Sequence, residues 1–303
     1  MGRGIAQMAA QAGATVWLFD AQPGAADAAR AALEGTWNSL VAKQRMATEA
    51  AADCLSRLQI ATGMTDLAAC DLVVEAIVER LEIKQKVFAE LEGIVGPEAV
   101  LATNTSSLSV TAIGAALKRP ERFAGWHFFN PVPLMKVVEV IAGLKTDAAV
   151  CQRLDAFARA FGHTPVMAQD TPGFIVNHAG RGYGTEALRI VGESVSDFAT
   201  IDRILKDQLG FRLGPFELMD LTALDVSHPV MESIYHQYYE EPRYRPSVIT
   251  AQRLAGGVVG KKVGEGFYKY ADGVAQMPPE PPVPQVAELP PVWVPAKAAR
   301  RPE

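Results

Sequence analysis

His127 and Glu139 are the residues of this chain best suited to moving a proton. The histidine sits among aromatics in Trp126-His127-Phe128-Phe129-Asn130-Pro131, and the glutamate lies in Lys136-Val137-Val138-Glu139-Val140. Two strands joined by a turn over Asn130 to Leu134 would bring imidazole and carboxylate together. A carboxylate held against an imidazole orients the ring and favours its charged form, the arrangement of a general base working near neutral pH. A lone histidine in an apolar strand is more often a satisfied core residue. The second charge in a neighbouring apolar strand shifts that balance, because an unpaired buried charge costs several kcal/mol.

Other polar groups stand at the ends of apolar runs. Thr103-Asn104-Thr105-Ser106-Ser107 offers consecutive hydroxyl and amide donors to a ligand, or caps to a helix starting near Val110. Asp71 to Ile77 runs into Glu79 and Lys84, and ligands of open α/β sheets sit outside such carboxyl ends. The plainer alternative is a carboxylate at a helix start and a solvated lysine. Asp20 closes the run Thr15-Val16-Trp17-Leu18-Phe19. A carboxylate there accepts hydrogen bonds from adenosine ribose hydroxyls and repels a 2′-phosphate, selecting NAD over NADP; the alternative is an ordinary acidic turn residue. His163, His178, His228 and His236 have no evident partner and read as structural or exposed. The chain carries no nucleophile elbow, Walker loop or zinc-type cluster, so no metal is expected.

The elements that must position these groups alternate strand and helix as far as about residue 170. Strand-length runs are Ala14 to Phe19, Arg57 to Thr62, Asp71 to Ile77, Ala99 to Asn104, Arg122 to Phe129, Lys136 to Ile141 and Thr164 to Ala168. Amphipathic stretches such as Leu81 to Ile94 and Val110 to Lys118 lie between them. This alternation predicts a Rossmann-type, doubly wound, mostly parallel α/β sheet over residues 1–170. Beyond Asp170-Thr171-Pro172-Gly173 the reading is helical: Phe174 to Val191, Asp197 to Gln208, Pro215 to Tyr239 and Val248 to Gly256. An all-α domain is therefore expected over residues 171–270, then a proline-rich linker or tail over 271–303, with nine prolines between residues 278 and 302.

Gly2 to Gly13 reads as the first helix of a dinucleotide-binding unit. Only the last glycine of a G-x-G-x-x-G fingerprint could be present, as Gly2. The expectation is a unit entered after its first strand, whose neighbouring strands face an empty slot with unpaired edges. Such a form would bind NAD more weakly, and be less stable, than an extended one.

A net charge of −5 argues against nucleic acid as the main partner. Cys54, Cys70 and Cys151 lack metal or CxxC spacing and suit a reducing cytoplasm. No apolar run is long enough to span a bilayer, so no membrane partner is expected.

Five ordered motifs carry a resemblance: Asn104-Thr105-Ser106-Ser107-Leu108, His127 to Pro133, Asp170 to Asn177, Leu213-Gly214-Pro215-Phe216-Glu217-Leu218 and Gly264-Glu265-Gly266-Phe267-Tyr268. Over roughly Met1 to Tyr270 the chain resembles the 3-hydroxyacyl-CoA dehydrogenase family. The resemblance implies NAD-dependent oxidation of (S)-3-hydroxyacyl-CoA to 3-oxoacyl-CoA in β-oxidation. It implies that His127 is the base, Glu139 its orienting partner, and Ser106 and Asn177 groups that hydrogen-bond the substrate. Gly2, Asp20, Ala76, Glu79, Lys84 and Asn104 would contact NAD. Asn130 would touch substrate, and Lys43 and Arg45 would fall near the basic patch crossed by the coenzyme A arm. A homodimer through the helical domain is implied as well. Glu240 to Pro246 and the tail resemble longer relatives that act on 3-hydroxyadipyl-CoA in phenylacetate breakdown, which makes that substrate an alternative and suggests a fragment or a misplaced start. A second alternative is a non-catalytic, crystallin-like protein or an inactive fragment.

Overall fold

The computed structural model describes residues 1–280 and 282. Apolar, β-branched runs form the strands, and the most central are buried on both faces, as expected where helices cover a parallel sheet. The chain opens with α1 (Gly2–Gln11), β1 (Val16–Leu18), α2 (Ala25–Ala42), α3 (Thr48–Ser56) and β2 (Leu58–Ile60). It continues through β3 (Leu72–Glu75), α4 (Leu81–Glu92), β4 (Val100–Thr103), α5 (Val110–Gly114), β5 (Phe123–Phe128), β6 (Val137–Ala142), α6 (Ala148–Ala160) and β7 (Thr164–Gln169). The main sheet has the order β3-β4-β5-β6-β7, parallel except between β5 and β6. β1 and β2 pair in parallel as a separate two-stranded sheet. Among the described residues no ladder joins β1 to β3, so each has a neighbour on one side only.

Helix α1 ties the two sheets together through opposite faces. Ile5, Met8 and Ala9 pack in the core that holds Trp126, Val138 and Leu154. Ala6 and Ala10 pack in a second core with Leu33, Trp37 and Leu58. Burying a side chain such as Ile5 contributes about 1.5–3 kcal/mol, so this short helix, together with α2 and α3, helps to anchor β1 and β2. On the other face, α4 and α5 cover Leu101, Phe123 and Ile141. Gly125 of β5 lets α5 approach: a Cβ there would lie 2.7 Å from Val110 Cγ2 and 3.0 Å from Ile141 Cβ.

The helical part comprises α7 (Val176–Gly192), α8 (Phe198–Leu209), α9 (Pro215–Thr222), α10 (Leu224–Gln237) and α11 (Val248–Ala255). The single helix expected over Pro215 to Tyr239 is two helices. Buried Ala223 takes a left-handed φ of 65°, and Leu224 N–H donates to Val259 O instead of continuing the first helix. The tail expected from residue 271 begins later, because β8 (Lys269–Ala271) and β9 (Val274–Gln276) form a hairpin. Asp272 and Gly273, both at positive φ, make its two-residue turn, a signal present in the sequence as Asp-Gly. Most of the proline-rich stretch lies outside the described residues. No described helix is long and apolar enough to cross a membrane.

Two buried carboxylates organise this half. Asp202 accepts from Phe216 N, Glu217 N and the Tyr268 hydroxyl at 2.9, 3.0 and 2.7 Å. Asp220 accepts from Phe267 N, Tyr268 N and the Tyr270 hydroxyl at 2.8, 2.9 and 3.0 Å. Burial pushes both carboxyls up, against the hydrogen bonds that favour the charged form. Glycines make the room: a Cβ on Gly214 would lie 2.2 Å from Asp202, and one on Gly266 2.0 Å from Asp220. Asp220→Ala strands three donors, and each unsatisfied buried donor costs about 1–3 kcal/mol. The expected loss, by urea unfolding, is about 3 kcal/mol or more, with the main sheet's packing unchanged.

Candidate active site

The antiparallel register of β5 and β6 sets His127 directly opposite Glu139. Both are buried, and His127 Nδ1 lies 2.6 Å from Glu139 Oε2. The other oxygen, Oε1, accepts from Ile175 N and Val176 N, each at 2.9 Å, at the entry to α7. Burial alone would push this carboxyl up. His127 and the two backbone N–H groups outweigh it and hold Glu139 below the usual carboxylate range. One carboxylate therefore orients the imidazole and anchors the helical half beside it. Phe129 and Phe174 flank the ring with centroids at 4.5 and 5.8 Å. With Nδ1 engaged, Nε2 is the nitrogen left to meet a substrate hydroxyl.

Asn177, one residue into α7, donates from Nδ2 to Ser106 O at 3.2 Å, so these two meet across the sheet–helix boundary. Gln237 of α10 makes a second crossing, donating to Ser107 O at 2.7 Å. Ser107, Ser109, Asp170, Thr171, His236 and Gln237 line a cleft between the two halves. Asn104 Oδ1 accepts from Phe128 N at 2.9 Å, locking the end of β4 to the residue after His127.

Glu79, expected to contact NAD, holds the loop after β4 in place. Its Oε1 accepts from Thr105 Oγ1, Ser106 N, Ser107 N and Ser107 Oγ at 2.6, 2.8, 3.0 and 3.1 Å, fixing the hydroxyl-rich loop. Burial opposes this charge, but Lys84, Thr105 and Ser106 prevail and the carboxyl stays below its ordinary value. Lys84, expected near the nicotinamide ribose, is instead fully buried, with Nζ at 2.7 Å from Glu75 and 3.2 Å from Glu79. It reaches the site through Glu79. The cap of α5 is Ser109, accepting from Ala112 N at 3.1 Å, rather than a member of the 103–107 run.

The remaining expected residues lie at the rim. Asp20 is exposed after β1, and its Oδ1 accepts from Gln22 N at 2.8 Å. A Cβ on Gly2 would lie 3.7 Å from Ala76 Cβ, so α1 starts against the end of β3. Asn130 is exposed at the end of β5. Lys43 and Arg45 are exposed between α2 and α3, and no described hydrogen bond ties them to the cleft.

All four other histidines have partners that sequence reading missed. His163 sets its ring nitrogens 3.0 Å from Val132 O and 3.2 Å from Phe161 O, bracing the turn after β5. His228 meets Thr250 Oγ1 and His178 meets the Tyr238 hydroxyl, each at 2.9 Å. Even exposed His236 lies 2.8 Å from Glu240. Asp170 was missed as well. It caps α5 through Ser109 Oγ, Val110 N and Thr111 N at 2.9, 2.8 and 2.7 Å, and no local pattern in Gln-Asp-Thr-Pro predicts a partner so distant in sequence. Among the described residues no His, Cys, Asp and Glu cluster could hold a metal ion.

Comparison with known proteins adds a family context to this geometry. Residues 1–171 match the family described as "3-hydroxyacyl-CoA dehydrogenase, NAD binding domain", and residues 173–270 its "C-terminal domain". The chain is 43% identical to a 3-hydroxyadipyl-CoA dehydrogenase of Escherichia coli over 89% of its own length and 57% of that protein's. It is 41% identical to a probable 3-hydroxybutyryl-CoA dehydrogenase of Deinococcus radiodurans, covering 89% of this chain and 96% of the relative. A crystal structure of (S)-3-hydroxybutyryl-CoA dehydrogenase from Ralstonia eutropha superposes with a TM-score of 0.86 at 35% identity, covering 90% of this chain and 96% of that one.

Proposed function

This chain belongs to the 3-hydroxyacyl-CoA dehydrogenase family, and on that premise we propose that it oxidises (S)-3-hydroxyacyl-CoA to 3-oxoacyl-CoA with NAD. The observation that carries the reading is the His127–Glu139 pair, closed from above by the first N–H groups of α7. A protein with a purely structural role gains little from a buried carboxylate spent on an imidazole whose second nitrogen stays uncommitted, since burying a charged group is costly.

His127 Nε2 accepts the proton of the carbon-3 hydroxyl. Positive charge then develops on the ring and is met by Glu139, whose position is already fixed at both oxygens. Ser106 Oγ and Asn177 Nδ2 are the hydrogen-bond groups that hold the substrate oxygen against Nε2. Glu79 and Lys84 keep the Ser106 loop in place from behind.

The residues present fit NAD. The exposed Asp20 carboxylate stands at the end of β1 for the ribose, and Gly2 leaves only a methyl-width approach between α1 and Ala76. The start of α1 offers N–H groups to the pyrophosphate. Ala76 and Asn104, at the carboxyl ends of β3 and β4, would face the nicotinamide side. When bound, NAD supplies the acceptor for the two electrons and one hydrogen that leave carbon 3. Asn130, Lys43 and Arg45 are the rim groups we assign to the acyl-CoA.

We further propose a homodimer through the helical half. Exposed Ile204, Leu209, Leu221 and Val226 on α8 to α10, with Phe211 in the α8–α9 connection, support it, because apolar side chains left in water favour a cover. Three free cysteines support a reducing, cytoplasmic setting. The test of the activity is the rise of NADH absorbance on adding (S)-3-hydroxybutyryl-CoA and NAD. Turnover on the order of 10 per second is expected. A folded protein that binds NAD and gives no NADH with any 3-hydroxyacyl-CoA overturns the reading.

A further inference from the structure

Arg181 stands one helical turn after Asn177 on α7 and is the unexplained charge nearest to the candidate site. Its Nε donates to Asn177 O at 3.0 Å. Its Nη1 is wholly buried and has no hydrogen-bond partner among the described residues. Arg181 is also absent from every ion pair of the described residues, although guanidinium groups are seldom buried without an anion. Burial, with no opposing anion, draws its pKa down. An orphaned donor of this kind costs free energy in the isolated protein and becomes useful when a ligand supplies the missing oxygen.

The helix fixes where that oxygen must come from. Residues four apart share a helix face, so Arg181 lies on the face from which Asn177 reaches Ser106. A rise of about 1.5 Å per residue puts their Cα atoms about 6 Å apart along the axis, and the Nε bond to Asn177 O folds the guanidinium back towards Asn177, within reach of a short acyl chain held there. A chain of three carbons beyond carbon 3 spans about 4–5 Å in extended form. We propose that Arg181 receives the free terminal carboxylate of a six-carbon dicarboxylic 3-hydroxyacyl thioester, which makes it the residue that sets preference for a dicarboxylic over an aliphatic acyl group. The guanidinium fork matches a carboxylate in a two-point contact, and at a buried nitrogen such a contact discriminates strongly. An aliphatic chain of equal length would leave Nη1 without a partner, the asymmetry that lets polar sites reject analogues lacking the polar group. This assignment rests on the dehydrogenase reading above.

The experiment compares 3-hydroxyadipyl-CoA with 3-hydroxyhexanoyl-CoA, which have the same carbon count and differ in the terminal carboxylate. Wild type should favour the dicarboxylic substrate by 100-fold or more in kcat/KM. Arg181→Met should lose at least 100-fold on that substrate while changing less than threefold on the aliphatic one, and Arg181→Lys should recover part of the loss. Equal losses on both substrates overturn the proposal, since they would mean that Arg181 only braces Asn177 through its carbonyl. No loss on either overturns it too. A measurement on wild type alone guards against a variant that fails to fold: adipyl-CoA should bind at least tenfold more tightly than hexanoyl-CoA by calorimetry, and equal binding counts against the carboxylate site. If wild type oxidises neither substrate, the dehydrogenase reading falls, while tighter adipyl-CoA binding would still uphold the site.

Discussion

His127→Gln is expected to lower kcat by about 10³-fold, within the 10²–10⁴ range that positioned proton transfer contributes. Glutamine keeps an amide near Glu139 and fills most of the ring's volume, so the β5–β6 pairing and fold should survive. It cannot accept a proton, and nothing else described lies where Nε2 does. Acyl-CoA affinity should therefore stay within a few-fold of wild type while turnover collapses, the signature of an interaction made only in the transition state. Loss of acyl-CoA binding in proportion to kcat would instead assign His127 to substrate anchoring.

The His127–Glu139 pair was legible because the two lie in consecutive apolar strands joined by a short turn. Such strands pair antiparallel, and the register then follows from the turn. The alternation of buried strands with amphipathic helices likewise announced the sheet. That β1 and β3 do not pair was legible too, because the chain opens on a helix where the dinucleotide-binding pattern sets a strand between them, and each keeps an unpaired edge. The other two partners of Glu139 are hidden for a physical reason. Ile175 and Val176 are apolar residues that act through backbone N–H groups, and nothing in their side chains advertises this. Lys84 was found, yet with its surroundings misread. A lysine at the start of a helix usually reaches water, and only the Glu75 carboxylate beneath it shows why this one is buried. Gln237 acts on the hydroxyl-rich loop and Asp170 on the start of α5, both over long sequence separations, so the residues that shape the cleft come from segments that folding alone brings together. The Asp272–Gly273 turn is different in kind, because its two-residue hairpin signal was present and outweighed by the prolines that follow.

Glu139→Gln tests how much of the chemistry depends on orientation and charge rather than on the base itself. The amide can still accept from Ile175 N or Val176 N through its oxygen, but its NH₂ then faces His127 Nδ1 and imposes the opposite tautomer, with the proton on Nε2. A base carrying its proton on the reacting nitrogen cannot take another, and the analogous loss at a catalytic Asp–His pair is about 10⁴-fold. We expect a fall in kcat of about 10³–10⁴-fold with aliphatic and dicarboxylic substrates alike, which separates this variant from those at Arg181. Stability gives an independent check with a definite sign. Glu139 is held below the usual carboxylate range in the folded state, so the unfolded chain binds more protons through the interval between the two values, and stability rises with pH there. Its contribution is fully present above the ordinary carboxylate range and is lost as pH falls through the lowered value. Glutamine has no such dependence. The deficit of Glu139→Gln in urea unfolding should therefore be largest near neutral pH and should shrink towards pH 4 and below, as wild type becomes protonated. A deficit that stays constant across that interval would mean that the carboxylate contributes by shape alone, and that its charge is not what steadies the imidazole.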